Sequence, residues 1–162
     1  MIRNDLTQLA LPDTGKIFPD LALIDMTGTL KNISFKRSSS KYTLIAFWFA
    51  HCFACKSEFP TYIELLKTHH KKGFSMIGIS IDSSVSHVKH WKSIIRSKSL
   101  RWTQYRANSK TINNLRISFY QSNFLIDGEG RIKAINLGAG EAAEFYKEFT
   151  LMPLVVSKKY PI

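Results

Sequence analysis

Sulfur is scarce in this chain: its 162 residues include only two cysteines, Cys52 and Cys55, so thiol chemistry is confined to FAHCFACKSEFP, Phe49 to Pro60. A second cysteine pair is missing, which excludes a four-cysteine zinc centre. A zinc ion there would need His51, His69, His70, His87 or His90 to complete its ligand set. Long apolar runs are missing too. The longest, Leu44 to Ala50, falls far short of the ~20 residues that cross a bilayer. No Pro/Gly/Ser tract of linker length and no internal repeat divides the chain; Lys36 to Lys41 (KRSSSK) reads as a loop between strands. The opening MIRNDLTQLALPDTG carries Asp5 and no uninterrupted apolar core, so it is not a secretory signal. The expectation is a cytoplasmic protein, or one whose export segment lies outside this sequence.

Acidic residues are also few. Formal charge is +11, and from Lys67 to Arg116 eleven Lys/Arg face a single acid, Asp82. A field of that sign can attract an acidic protein, a membrane surface or nucleic acid, or it can be no more than a solvated basic surface. The segment has no stacking-aromatic motif of the RNA-binding type, so no nucleic-acid partner is expected. With 44% hydrophobic residues in 162, the chain can fill one core and not two. The expected organisation is one domain over residues 1–162, with its core at about 17–150 and a tail at 151–162.

Hydrophobic periodicity gives a coarse map. Phe18 to Phe35 reads as a hairpin about Met26-Thr27-Gly28-Thr29, and Tyr42 to Phe49 (YTLIAFWF) as a strand covered on both faces. From Cys52 to Lys72 the period turns helical, with Phe59, Ile63 and Leu66 on one stripe, Tyr62 and Leu65 beside it, and Gly73 as the stop. Phe74 to Ile81 is a second buried strand. Ser83 or Ser84 caps a helix to about Ser97, with Val88, Trp91 and Ile95 on one stripe. A short helix over Ser109 to Arg116, a hairpin about Gly128-Glu129-Gly130 and a helix over Glu141 to Thr150 complete the order. The predicted class is α/β: a mixed central sheet with helices on both faces and an N-terminal β-hairpin extension.

On this map Cys52 falls just past a buried strand, at the N-terminus of a helix. The unpaired N–H groups and dipole of that first turn favour a thiolate, lowering the thiol below its free value of about 8.5. Cys55, one turn further in and more buried, can attack a mixed disulfide formed at Cys52 and release the product. A half-built metal site and a pair of inert buried thiols remain the competing readings.

The stretch FWFAHCFACKSEFP resembles the active-site segment of thioredoxin-like proteins, and within them the TlpA/ResA branch of thiol-disulfide oxidoreductases. The likeness rests on Phe47-Trp48, Cys52, Cys55, Lys56, Glu58, Phe59 and Pro60, with Gly78-Ile79-Ser80 and Phe124 to Gly130 following in order. It implies a thioredoxin-like fold over roughly Leu11 to Phe149. It also implies exchange with protein disulfides, with Cys52 as nucleophile and Cys55 as resolving thiol. Glu58 becomes the expected proton mediator, since burial would suit its carboxyl to acid-base work; the plainer reading is a surface carboxylate paired with Lys56 or Lys67. Trp48, His51, Phe53, Gln121 and Ser122 are the expected substrate-binding residues. The resemblance implies no metal or organic cofactor, and an upstream thiol protein as electron source. It further implies a bacterial periplasm or cell envelope as setting; a monomer is the expected state.

Several positions depart from that family pattern. His51 stands where the branch usually has Trp, and a protonated imidazole there could stabilise a Cys52 thiolate. Phe53-Ala54 lacks the frequent proline, and Ala46 occupies the place of the usual buried aspartate. No proline occurs between Pro60 and Pro153, so the position expected to hold a cis-proline facing the cysteines is Gln121. A non-proline cis bond costs about 2.5–4 kcal/mol, so a trans peptide is expected there. A thioredoxin-like binding or redox-sensing module with weakened exchange is the alternative this raises. A peroxidase reading is weaker: the Pro and Thr of the peroxiredoxin motif correspond to Ile45 and Phe49. Gly138-Ala139-Gly140 follows an antiparallel hairpin with too little chain beyond it for a nucleotide-binding βαβ unit.

Overall fold

The computed structural model describes residues 13–115 and 122–136. The expected hairpin forms as β1 (Leu21–Ile24) and β2 (Leu30–Ile33), with Leu21 opposite Ile33 and Ile24 opposite Leu30. Asp25 organises its turn. The carboxylate accepts from the backbone N–H groups of Thr27 (2.9 Å) and Thr29 (3.0 Å), and Lys31 Nζ lies 2.8 Å from its other oxygen. The bond from Lys31, then those from Thr27 and Thr29, hold the Asp25 carboxyl well below the usual carboxylate range.

Five further strands follow: β3 (Tyr42–Trp48), β4 (Phe74–Ser80), β5 (Thr103–Ala107), β6 (Asn123–Asp127) and β7 (Ile132–Asn136). They join the hairpin in one seven-stranded sheet of order β2-β1-β5-β4-β3-β6-β7. The β3–β4 and β4–β5 pairs are parallel and the others antiparallel, which gives the mixed sheet. Strand β5 corrects the sequence map, which left 103–107 without an element. Its buried residues are Gln104, a polar side chain, and Ala107, three apart, so no apolar alternation marks it. It nevertheless links the hairpin to the parallel core, pairing β1 on one side and β4 on the other.

The two faces of the sheet follow from the two-residue period of β3. Leu44, Ala46 and Trp48 point into one apolar layer, with Phe59, Tyr62, Leu65, Trp91 and Ile94. Ile45 and Phe47 point into the other, with Phe18, Leu23, Phe124, Ile126 and Ile132. The first layer is roofed by α2 (Phe59–His69) and α3 (Val85–Ser97), and the second receives Ile112 and Leu115 of α4 (Ser109–Leu115). Helices therefore cover both faces, as expected. The closing helix over 141–150, the tail at 151–162 and Gln121 lie outside the described residues.

The single helix expected from Cys52 to Lys72 is two. A short α1 (Phe53–Ser57) ends at Glu58, and α2 begins at Phe59 and passes into a 3-10 turn, His70–Lys72, stopped at Gly73 with φ of 92°. Pro60 thus sits in the first turn of α2, where its missing N–H leaves no helical bond unmade. The break also resets the inward stripe to Phe59, Tyr62, Leu65 and His69, leaving Ile63 40% exposed. In α3 the cap is Ser84, whose hydroxyl accepts the His87 N–H at 3.2 Å; Trp91 and Ile94 are buried and Val85 is exposed.

Candidate active site

Strand β3 ends at Trp48, and after three intervening residues the chain enters α1 through Cys52. Cys52 is the N-cap: its extended backbone turns the chain, its N–H donates to Phe49 O (3.0 Å), and its Sγ accepts the N–H of Cys55 at 3.1 Å. The sulfur of Cys52 therefore sits where helix N–H groups are unspent, the position that favours its thiolate once reduced. Cys52 and Cys55 are joined by a disulfide, their Cα atoms 5.3 Å apart. The pair is asymmetric in exposure, 9% for Cys52 and 2% for Cys55.

Glu58 closes α1, donating its N–H to Cys55 O at 3.2 Å, and its own carbonyl starts α2 by accepting from Tyr62 N at 3.1 Å. Being three residues on from Cys55, its side chain lies on the same side of the short helix. It is 8% exposed, which sets aside the surface carboxylate reading. The Tyr62 hydroxyl is bonded to Glu58 Oε2 and lies 3.1 Å from Asn123 Oδ1 on β6. Tyr62 and Asn123 are themselves buried.

The other expected residues divide into rim and support. Phe53 is 83% exposed beside Cys52. His51 is exposed, its ring stacked on His90 (centroids 4.8 Å) and edge-on to His87 (4.9 Å), so the cysteine loop is continuous with the surface of α3. Trp48 and Ser122 are buried and present no side-chain surface to a docking partner. The Trp48 indole donates to Gln104 Oε1 (3.3 Å) and packs edge-on against Phe59, while Ser122 O accepts the N–H of Phe47 at 2.9 Å. Both act from beneath the site. Among the described residues no three of His, Cys, Asp or Glu are arranged to hold a metal ion.

Sequence reasoning passed over three contributors. Asp82, 3% exposed, accepts the N–H of Ala50 (2.9 Å) and the hydroxyl of Ser80 (2.7 Å), pinning the loop that carries Cys52 to the end of β4. Its backbone carbonyl accepts from Arg106 Nη1 at 3.2 Å. Tyr62 was legible in principle, since four residues after Glu58 puts it on the same helical face. Asn123 and Asp82 owe their places to strand register, which the pattern of side chains does not carry.

Residues 14–135 match the model of the AhpC/TSA family, and the chain belongs to that family. Solved structures agree. The thioredoxin domain of a thiol-disulfide oxidoreductase from Bacteroides vulgatus is 27% identical, with a TM-score of 0.68 over 85% of this chain and 97% of that one. A thiol:disulfide interchange protein from Bacteroides sp. is also 27% identical, with a TM-score of 0.68 over 91% of this chain and 93% of that one. A thiol-disulfide oxidoreductase from Bacteroides fragilis is 25% identical, with a TM-score of 0.65 over 83% and 99%. Among curated proteins none matches the chain. The fold is thioredoxin-like, and the Cys52-Phe53-Ala54-Cys55 pair is its redox motif. Ile45 is fully buried in β3 and Phe49 is half-buried; Phe49 carries no hydroxyl where the peroxidase motif has its Thr.

Proposed function

We propose that this chain is a TlpA/ResA-type thiol-disulfide oxidoreductase acting on protein disulfides. The observation that carries the reading is the Cys52–Cys55 disulfide at a strand-to-helix junction, with Cys52 9% exposed and Cys55 2%. In the reducing direction the Cys52 thiolate attacks a substrate disulfide, forming a mixed disulfide and expelling one substrate thiolate. Cys55 then gives its proton to the Glu58 carboxylate and attacks the Cys52 sulfur, which restores the intramolecular disulfide and releases the second thiolate. Two electrons pass to the substrate. A partner thiol protein returns them by the same exchange in reverse.

The rim suggests the partner. Phe53 and Val85 are exposed apolar side chains, 83% and 88%, and from Ser83 to Leu115 there are seven Lys/Arg and no acid. A substrate segment with an apolar residue near its cystine and acidic residues along α3 fits this surface. The setting that suits such exchange is a bacterial periplasm or cell envelope, where disulfides persist. Among the described residues no helix is long and apolar enough to cross a membrane. The reading is tested by following reduction of a disulfide-bonded protein by a dithiol. The wild-type chain is expected to accelerate it and Cys52→Ser to leave it at the uncatalysed rate; equal rates with both would overturn it.

A further inference from the structure

Beneath the site one side chain reaches across a whole strand. Ala46 of β3, Gly78 of β4 and Gln104 of β5 stand opposite one another in a single row of the sheet, and Trp48 follows Ala46 on the same face. The Gln104 carboxamide lies over Gly78 and accepts the Trp48 indole N–H on Oε1 at 3.3 Å, with both side chains buried. An indole nitrogen can only donate, so the amide is held with its oxygen toward Trp48. Glycine leaves the passage open: a Cβ at position 78 would collide with the carboxamide, whose Cδ would be 2.9 Å away. Among the described residues the indole nitrogens of Trp91 and Trp102 have no such partner.

Trp48 is also where the cysteine segment begins. Its ring packs edge-on against Phe59, centroids 5.1 Å apart, and Phe59 directly follows Glu58, the residue that closes α1. That contact closes the segment carrying Cys52 and Cys55 at its base, and Gln104 ties the base to β5. We infer that Gln104 is a positioning residue for the cysteine pair: by holding Trp48 across Gly78 it fixes the base of the segment and keeps the two sulfurs within reach of each other. The inference rests on the exchange proposed at Cys52 and Cys55 and extends it. In a glutathione buffer the two protein thiols reduce one glutathione disulfide to two glutathione thiols and close to the Cys52–Cys55 disulfide. One S–S bond forms, one breaks, and two electrons and two protons pass to glutathione. How far the balance lies toward the closed pair depends on the effective concentration of one protein sulfur at the other, which a firmly held base raises.

The equilibrium constant of that exchange, measured over a series of glutathione ratios, tests this. Gln104→Met keeps the length of the side chain and removes the acceptor. Gly78→Ala leaves Gln104 and Trp48 unaltered and displaces the carboxamide, the movable end of a side chain, from between them. Each variant is expected to lower the constant about tenfold, the size of one buried hydrogen bond, which is a rise of about 30 mV in reduction potential. In the NMR spectrum the Trp48 indole N–H signal, identified by its loss in Trp48→Phe, should move upfield in both. Ile132→Val, in the apolar layer on the other face of the sheet, should lower stability and leave the signal and the constant at their wild-type values. A wild-type constant or an unmoved Trp48 signal in Gln104→Met would overturn the inference, and so would an equal fall of the constant in Ile132→Val. The constant belongs to the cysteine pair alone, so this test is decided separately from catalysis, which the Cys52→Ser comparison decides.

Discussion

The backbone N–H of Ala50 donates to Asp82 Oδ2 at 2.9 Å, so the loop leading into Cys52 is fastened to the strand beside it rather than to its own. The same oxygen takes the Ser80 hydroxyl at 2.7 Å, and the Ser80 oxygen in turn accepts the Asp82 N–H at 2.9 Å. One side chain therefore fixes where the loop leading into Cys52 stands relative to the sheet. Ala50 and Ser80 are both 0% exposed, so neither can turn to solvent if Asp82 is lost.

Asp82→Ala should consequently destabilise the fold by about 2–3 kcal/mol, the cost of leaving two buried donors without partners. Urea unfolding followed by tryptophan fluorescence measures it. The exchange rate should fall further in this variant than in one of equal instability placed in β7, because the loop carrying Cys52 is what comes loose.

His69 provides a pH dependence. It is 6% exposed at the end of the α2 stripe, and its Nδ1 has no hydrogen-bond partner among the described residues. Burial, and then the charge of Lys72, lower its pKa in the fold. Between that lowered value and the unfolded value of about 6.5 the unfolded chain binds more protons, so stability falls as pH drops through this window. His69→Leu should remove up to one proton's worth of that slope, about 1.4 kcal/mol per pH unit, in urea midpoints measured from pH 7 to pH 4. An unchanged slope would mean that His69 is not held neutral by the fold.

The acid-free face of α3 predicts salt-sensitive recognition. Lys89 is exposed and Lys92 half-buried beside the imidazoles of His87 and His90, which touch the His51 ring. Lys89→Glu together with Lys92→Glu should lower kcat/KM for an acidic disulfide-bonded protein roughly tenfold at low salt, and much less once the Debye length falls to about 3 Å in 1 M salt. Turnover of a small uncharged disulfide should be unchanged. Equal losses on both substrates would place these lysines in the fold rather than in recognition.

Much of this arrangement was legible before any coordinates. YTLIAFW reads as a strand buried on both faces because both of its side-chain rows meet an apolar layer, and Gly73 reads as a stop because the chain there needs positive φ. Cys52 at the helix start, Cys55 beneath it and Glu58 one turn on follow from the sequence and the resemblance it carries. The failures have physical causes. Strand β5 turns Gln104 inward, and a buried amide does not register as hydrophobic period. The helix after the cysteines was read as continuous because a helical period crosses Glu58. The backbone stops there, and the stripe that restarts at Phe59 buries Tyr62 where Ile63 was expected. Trp48 is buried, its indole donating to Gln104 Oε1, a placement that strand register decides and the sequence pattern does not carry. Asp82 and Asn123 reach the site only through strand pairing, which brings together residues 32 and 61 positions away from Ala50 and Tyr62.

In the proposed mechanism Cys52 is the sulfur that meets the substrate and Cys55 the one that frees it. Mass spectrometry of the reduced Cys55→Ser protein mixed with a disulfide-bonded protein tests it directly. A covalent adduct through Cys52 is expected to persist until a dithiol is added, with little or none in Cys52→Ser, whose remaining cysteine, Cys55, is 2% exposed in the intact chain. No adduct with Cys55→Ser, or one that forms as readily with Cys52→Ser, would contradict it.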